Sequence, residues 1–185
     1  RPINTIYGYV ADGIFKTQEE VDNHATQTGK DLGRIRYKDL NGDGKIDDND
    51  RTWIGIQHPD FMYGLNIDLK YKNFDLTMFW QGIYNINVIN DQKFHTDFWS
   101  VSETGSNKGA RLLDAWSPNN MASNIPAATV ENANDEGRMS TYFVENGSYL
   151  KLRTLQIGYT VPTLISRKIY ASHLRFYVSS QNLLT

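Results

Sequence analysis

The chain has 185 residues, a nearly balanced net charge of -2 and no cysteine. Its length suits one domain with a sizeable core. The balanced charge, without a run of Lys and Arg, argues against a nucleic-acid partner, and the lack of cysteine excludes disulfides and thiolate metal sites. No apolar run approaches the ~20 residues of a membrane helix. A strand pattern still continues at the C-terminus, so we expect this chain to be a piece of a longer protein.

The N-terminal part combines a weak strand pattern with one helix signal. Apolar and polar residues alternate loosely over residues 3–16. Thr17 then precedes two glutamates and a run with helical spacing, which predicts a short helix that Thr17 caps and that ends near Gly29. A short strand is predicted from Ile35 to Lys38.

Residues 39–50 have the spacing of an EF-hand-like calcium loop. Ca²⁺ prefers about six to eight oxygen ligands, which this spacing wraps around one point. The candidate ligands are Asp39, Asn41, Asp43, Lys45 through its carbonyl, Asp47 and Asp50. Asp50 stands where Glu is usual, as in dockerin-type calcium repeats, which weakens the case for bidentate ligation. We predict one structural Ca²⁺; the alternative is a turn whose Asn, Asp and Gly residues serve tight backbone geometry.

Two alternating runs on either side of Lys72-Asn73 predict a β-hairpin. The first covers Phe61–Tyr71 and the second runs from Phe74 to Gly82. The apolar residues predicted to face lipid are Phe61, Leu65, Ile67, Leu69, Leu76, Met78 and Trp80. A transmembrane barrel strand needs roughly 9–11 residues, a lipid-facing aliphatic band and aromatic girdles, and both runs fit. A soluble antiparallel sheet with one buried face would alternate in the same way.

Residues 84–146 are rich in Asn, Ser, Gly and Pro, which predicts a long irregular loop. Barrels of this kind have short turns on one side and long loops on the other. If the turn at Lys72-Asn73 is periplasmic, counting strands places both this loop and the acidic loop outside the cell. Aromatic residues here could contact a ligand or partner, or could pack within the loop: Phe94, Phe98, Trp99 and Trp116.

The C-terminal part predicts two further strands. The strand from Tyr149 to Val161 changes its apolar parity, so we expect a bulge near Arg153-Thr154. Residues 163–171 are predicted to form a short helical connection, and a fourth strand begins at Leu174. The change of parity leaves open whether Lys151 and Arg153 line a lumen or anchor at an interface.

Five phrases stand in order along nearly the whole chain: GYVADGIF at 8–15, YKDLNGDGKID at 37–47, YKNFDL at 71–76, VENGSYL at 144–150 and SQNL at 180–183. In this order and spacing they resemble the late, C-terminal part of the barrel region of SusC/RagA-type TonB-dependent outer-membrane transporters. The resemblance implies an all-β fold, in which residues 1–185 supply antiparallel strands to part of a transmembrane β-barrel wall with long extracellular loops. The chain alone cannot close a barrel, because the smallest have about eight strands.

The resemblance also implies function and partners. The parent protein would import glycans, peptides or other nutrients across the outer membrane of a Gram-negative bacterium. It would work with a SusD-like surface lipoprotein, and TonB would engage an N-terminal region that lies outside this chain. Lipid would cover the outer face of the wall.

Two other functions compete with transport. One is a soluble, calcium-stabilised β-rich binding or adhesion module. In such a module the apolar face of the hairpin would be buried in a core, whereas in a transporter it would face lipid. The other is a hydrolase, and it is the weakest because nothing positions a catalytic pair among Asp60, Asp68 and Asp75. The four histidines are scattered without ligand spacing. We therefore expect no enzymatic activity.

Overall fold

The computed structural model describes residues 4–98, 107–129 and 134–184. These residues contain ten strands: β1 (Thr5–Gly8), β2 (Ala11–Ile14), β3 (Ile35–Tyr37), β4 (Thr52–Ile56), β5 (Phe61–Tyr71), β6 (Phe74–Tyr84), β7 (Asn87–Ile89), β8 (Val144–Asn146), β9 (Tyr149–Thr160) and β10 (Arg175–Leu184). The helices are short: α1 (Gln18–Asn23), α2 (Gln92–Thr96), α3 (Thr163–Ser166), and 3₁₀ turns at Asp48–Asp50, Ala110–Asp114, Thr141–Phe143 and Arg167–Ile169. All strand pairs are antiparallel, which confirms the predicted fold class. Across the described ranges, no helix is long and apolar enough to cross a lipid bilayer.

The chain divides into two compact units. The first unit comprises Arg1–Gln57 and Asn87–Asn146. The second unit comprises His58–Ile86 and Gly147–Thr185. The long segment after β6 therefore belongs with the N-terminal part of the chain, whereas the strands on either side of it belong together.

A four-stranded sheet with the order β10-β9-β6-β5 forms the second unit. Its β5–β6 hairpin pairs continuously from Phe61 opposite Tyr84 to Tyr71 opposite Phe74, which confirms the predicted hairpin. Lys72 in the turn has φ of 53°, the left-handed conformation that a tight connection demands. The second strand of the hairpin continues past Gly82 to Tyr84.

The predicted bulge in the third long strand is present. Phe79 of β6 lies opposite Thr154 and Trp80 lies opposite Leu152, so Arg153 is the extra residue in β9. The bulge keeps leucines on one face of the sheet although their sequence parity changes. The short helical connection after β9 is also present as α3 and the 3₁₀ turn that follows it.

The first unit is built from three two-stranded sheets, β1–β4, β2–β3 and β7–β8, and loops that pack around one hydrophobic core. The sequence did not predict strands β4, β7 and β8. The core residues come from both chain segments of the unit: Ile14, Ile35, Tyr37, Ile46, Phe98, Trp116 and Phe143.

Helix α1 begins as predicted and ends early. The Thr17 side chain accepts a hydrogen bond from the backbone N–H of Glu20 at 3.2 Å, as an N-cap does. His24 already has an extended backbone, so the helix stops well before Gly29. The reason is tertiary, because Thr26 donates from its N–H to the Gly44 carbonyl and accepts from the Ile46 N–H.

Buried polar side chains cover the free edge of β3. The amide of Gln27 donates to the Ile35 carbonyl at 2.8 Å and accepts from the Tyr37 N–H at 2.9 Å. The Glu136 carboxylate accepts from the Ile35 N–H at 3.1 Å and pairs with Arg34 at 3.1 Å. These side chains take the place of a neighbouring strand and satisfy backbone groups that would otherwise be buried without partners.

Candidate functional site

The acidic loop is organised by hydrogen bonds from its own backbone. The two carboxylate oxygens of Asp39 accept from the N–H groups of Gly42 at 2.7 Å and Gly44 at 2.8 Å. Donation from Gly44 and then from Gly42 lowers the pKa of Asp39, because these N–H groups stabilise the charged form. The two glycines have φ of 77° and 80°, a left-handed conformation that suits residues without a Cβ.

Asp50, the last candidate ligand, is fully buried and closes the loop. Its carboxylate accepts from the N–H groups of Leu40 at 2.8 Å and Asp47 at 2.9 Å. Asp47 in turn accepts from the N–H of Asn49 at 2.8 Å, so the two aspartates form a capping box around the 3₁₀ turn. Backbone donors thus already contact both carboxylate oxygens of Asp50.

The middle of the loop is exposed and could offer oxygens to a cation. Asn41 and Asp43 bond to each other at 3.0 Å, and the Lys45 N–H donates to Asp43 at 2.9 Å. Among the described residues, no group of three or more carboxylate or imidazole side chains is arranged to hold a metal. The fit to calcium is therefore partial, since the outer oxygens are accessible and Asp50 is turned inward. Calcium binding stays a prediction.

The loop aromatics lie mainly in the core of the first unit. Phe98 is 3% exposed and Trp116 is 7% exposed. Phe94 stacks face to face on Phe143, with 3.8 Å between ring centroids. In this arrangement the rings of Phe98 and Trp116 pack against the core instead of facing a ligand, and Phe94 is only partly buried. Trp99 lies outside the described residues.

Around the core, a buried carboxylate ties together distant parts of the segment Asn87–Asn146. Asp97 is 1% exposed and accepts a hydrogen bond from the Tyr142 hydroxyl at 2.6 Å. Burial and this bond to Asp97 raise the pKa of Tyr142. Arg111 lies 3.5 Å from the same carboxylate. The charge on Asp97 is thus balanced inside the fold, which indicates a structural role.

The two faces of the four-stranded sheet differ in chemistry. One face carries an aliphatic band between aromatic residues, in matched rows across the strands: Phe61, Leu65, Ile67, Leu69, Phe74, Leu76, Met78, Trp80, Leu155, Ile157, Tyr159, Phe176 and Val178. Much of this face is exposed, with Leu65 at 55%, Ile157 at 52% and Val178 at 77%. Every residue predicted to face lipid lies on it.

The opposite face is polar and carries the charged side chains of the sheet. Arg175 of β10 pairs with Asp75 of β6, with 3.1 Å between Nε and Oδ1. Arg153 of β9 donates to the amide oxygen of Gln81 at 2.8 Å. Lys151 lies opposite Gln81, so Lys151 and Arg153 belong to the polar face. The structure thus places both cations on the face opposite the apolar band.

No protein-family profile matches the chain. Among curated proteins, it is 36% identical over 187 residues to the TonB-dependent receptor P3 of Formosa agariphila, a match that covers 99% of this chain and 18% of that receptor. It is 28% identical over 176 residues to the TonB-dependent receptor SusC of Bacteroides thetaiotaomicron, covering 95% of this chain and 16% of SusC. The chain therefore spans less than one fifth of the length of these relatives.

Solved structures of RagAB share the fold of this chain. A chain in the structure of the RagAB peptide transporter superposes with a TM-score of 0.73 and 21% identity, covering 97% of this chain and 18% of that one. The RagAB peptide importer in its closed-closed state gives a TM-score of 0.69 and 20% identity. Nearly the whole of this chain thus matches one part of a much longer chain.

Proposed function

Because the chain belongs to the SusC/RagA family of TonB-dependent receptors, we propose that it forms part of the barrel wall of an outer-membrane nutrient transporter. The parent protein would carry glycans or peptides inward, energised by TonB through its N-terminal region. A SusD-like lipoprotein would be its partner at the cell surface. The RagAB structures concern peptides, and uptake of labelled probes distinguishes peptides from glycans as the solute of this chain's parent.

The observation that carries this proposal is the exposed apolar face of the four-stranded sheet. Soluble monomers rarely expose contiguous apolar patches beyond a few hundred Å². Here Leu69 is 56% exposed, Ile157 52% and Val178 77%, and they lie on three different strands of one sheet. Aromatic residues stand at the strand ends of this face, where a bilayer has its interfaces. Lipid is the environment that this arrangement fits.

A soluble binding module is the second candidate, and the first unit is what favours it. That unit has its own hydrophobic core and a buried polar network, as a water-exposed module would need. We propose that this unit is instead an extracellular part of the barrel protein. Its segment Asn87–Asn146 connects β6 to β9. The acidic loop lies in this unit, so we propose that a structural Ca²⁺ would bind it on the extracellular side.

Surface labelling of the full-length parent tests the topology. In a cysteine-free background, Leu113→Cys places a thiol at a residue that is 90% exposed in the first unit. An impermeant maleimide should label it in intact cells. Asn73→Cys, in the β5–β6 turn, is the matched control and should react only after the outer membrane is permeabilised. The opposite pattern would refute the proposed orientation.

Uptake measurements test the transport function itself. Cells that carry the parent should accumulate labelled oligosaccharides or oligopeptides, and cells that lack either the parent or TonB should not. Co-purification from cells that express a neighbouring SusD-like lipoprotein tests the partner. Uptake that persists without TonB would overturn the proposal of energised import.

A further inference from the structure

The polar face of the four-stranded sheet contains a cavity of about 380 Å³ with charges of one sign. Lys151 and Arg153 supply those charges. Their neighbours in the lining are neutral: Gln81, Tyr149, Thr154, Gln181 and Asn182. This lining, taken entirely from described residues, includes no carboxylate. The Arg153 guanidinium bonds to the neutral amide of Gln81, and the Lys151 ammonium lies 4.8 Å from the centre of the Tyr149 ring.

Two aligned bulges create this concentration of polar groups. In β9, Arg153 is inserted between the residues that pair with Phe79 and Trp80 of β6. In β10, the register shifts between Gln181 and Leu184, and Asn182 has φ of 53°. A regular strand presents every second side chain on one face, whereas a bulge adds a residue and re-aims its side chain. The cavity therefore gathers more donors than unbroken strands would bring to it.

A second cavity on the polar face provides a contrast. It has a volume of about 780 Å³, lies near the β5–β6 turn, and has both acids and bases in its lining. Arg175 pairs there with Asp75, and Asp68 accepts a hydrogen bond from the Thr77 hydroxyl at 2.7 Å. The cations near the turn thus have an acid on the same face, whereas the cavity at Lys151 and Arg153 has a surplus of positive charge.

We propose that this cationic cavity binds a carboxylate group of the transported solute, as a uronic-acid oligosaccharide or an acidic peptide would provide. The inference rests on the proposed transport function, since it takes the polar face to line the solute path. The planar guanidinium of Arg153 can offer two parallel N–H donors to a carboxylate, and Lys151 adds a mobile point charge. Gln81 and Gln181 can donate amide N–H groups to the same oxygens. Walls of one charge sign also raise the local concentration of counter-ions.

Binding to the purified full-length parent, by calorimetry, tests the proposal with two pairs of probes. Galacturonate trimer is compared with its methyl ester, and triglutamate is compared with triglutamine. Each pair differs in the carboxylates, so a preference within one pair also shows which source of carboxylate is accepted. We expect the unaltered protein to prefer one acidic probe by about tenfold or more, because hydrogen bonds between charged groups are stronger than neutral ones. The preference should shrink as salt is added.

The double variant Lys151→Gln, Arg153→Gln should lose this preference while it still binds the neutral probe as before. Its matched control is Arg167→Gln, Lys168→Gln, which removes the same charge from exposed positions in the connection before β10. The control should retain the preference. Equal or absent binding of the acidic and neutral probes by the unaltered protein, or a preference that survives in the double variant, would overturn the inference. Loss of TonB-dependent uptake with the preference intact would instead count against the transport function alone.

Discussion

Arg175 and Asp75 form an ion pair that spans an intervening strand. Asp75 lies opposite Gly158 of β9, and Gly158 lies opposite Tyr177 of β10, so the pair passes directly over the glycine. A Cβ at Gly158 would lie 2.5 Å from each carboxylate oxygen of Asp75 and 2.6 Å from Nη2 of Arg175. The absence of a side chain on the middle strand is what permits this pairing.

Gly158→Ala should therefore destabilise the folded parent, because the added methyl group displaces the ion pair. Urea titration of the parent in lipid vesicles measures this change. In an Asp75→Ala background the same substitution should cost less, since the crowded carboxylate is gone. If the losses of stability from Gly158→Ala and Asp75→Ala simply add, the glycine is needed for a reason other than the ion pair.

The assignment of the apolar face to lipid predicts a contrast between adjacent residues. Ile67 lies in the middle of β5, opposite Met78, and Asn66 lies on the polar face, opposite Phe79. Ile67→Arg should cost roughly 2–4 kcal/mol in a bilayer, as charged residues do near its midplane. Asn66→Arg should cost little. A folding titration in vesicles measures the cost of each substitution. If Asn66→Arg costs more than Ile67→Arg, the assignment of the apolar face to lipid is reversed.

Calcium binding to the acidic loop is testable by calorimetric titration of the metal-free parent. At about a hundred times Kd, the ion should stabilise the folded state by about 2.7 kcal/mol. Asp39→Ala and Asp43→Ala should abolish the heat of binding, and Glu19→Ala, which removes an exposed carboxylate from α1, should preserve it. No heat at millimolar calcium would leave the loop as an acidic turn.

Asp50 supplies a separate test within the loop. Its carboxylate accepts from Leu40 and Asp47, so Asp50→Ala should expose the loop to faster amide exchange with or without calcium. Hydrogen exchange of peptides that cover residues 39–50 measures this effect. Slow exchange in the variant would mean that the capping box contributes little.

His24 should make the first unit sensitive to acid. Its Nε2 is buried, and its ring packs edge-on against Phe15, with 5.0 Å between centroids. Burial, with smaller contributions from nearby Arg36 and Lys30, lowers the pKa of His24 below its ordinary 6.5. The folded state then binds the proton more weakly than the unfolded state. The stability that neutral His24 contributes at high pH is lost as the pH falls below 6.5 toward the pKa of His24 in the folded state.

Hydrogen exchange across residues 15–26 at decreasing pH, corrected for the intrinsic rate, measures this loss. His24→Phe keeps an aromatic ring against Phe15 and removes the titrating group, so the acid sensitivity should diminish. An unchanged pH profile in this variant would assign the sensitivity to other groups.

The sequence by itself determined the hairpin, the bulge and the face that each residue of β5 and β6 occupies. These features follow from alternation with period two, which is local, and a single extra residue such as Arg153 is visible as a change of parity. The cap at Thr17 was predictable for the same reason, since its hydrogen bond reaches only to Glu20.

Only the tertiary structure decided which distant segments share a unit. The end of α1 depends on backbone pairing of Thr26 with the acidic loop, and the edge of β3 depends on Glu136, which lies about a hundred residues away. Phe98 and Trp116 look like exposed loop aromatics until the core that buries them is seen. The pair between Asp75 and Arg175 likewise depends on strand order. Such contacts form because folding buries apolar surface and pairs the polar groups buried with it, and sequence spacing does not reveal which distant residues will meet.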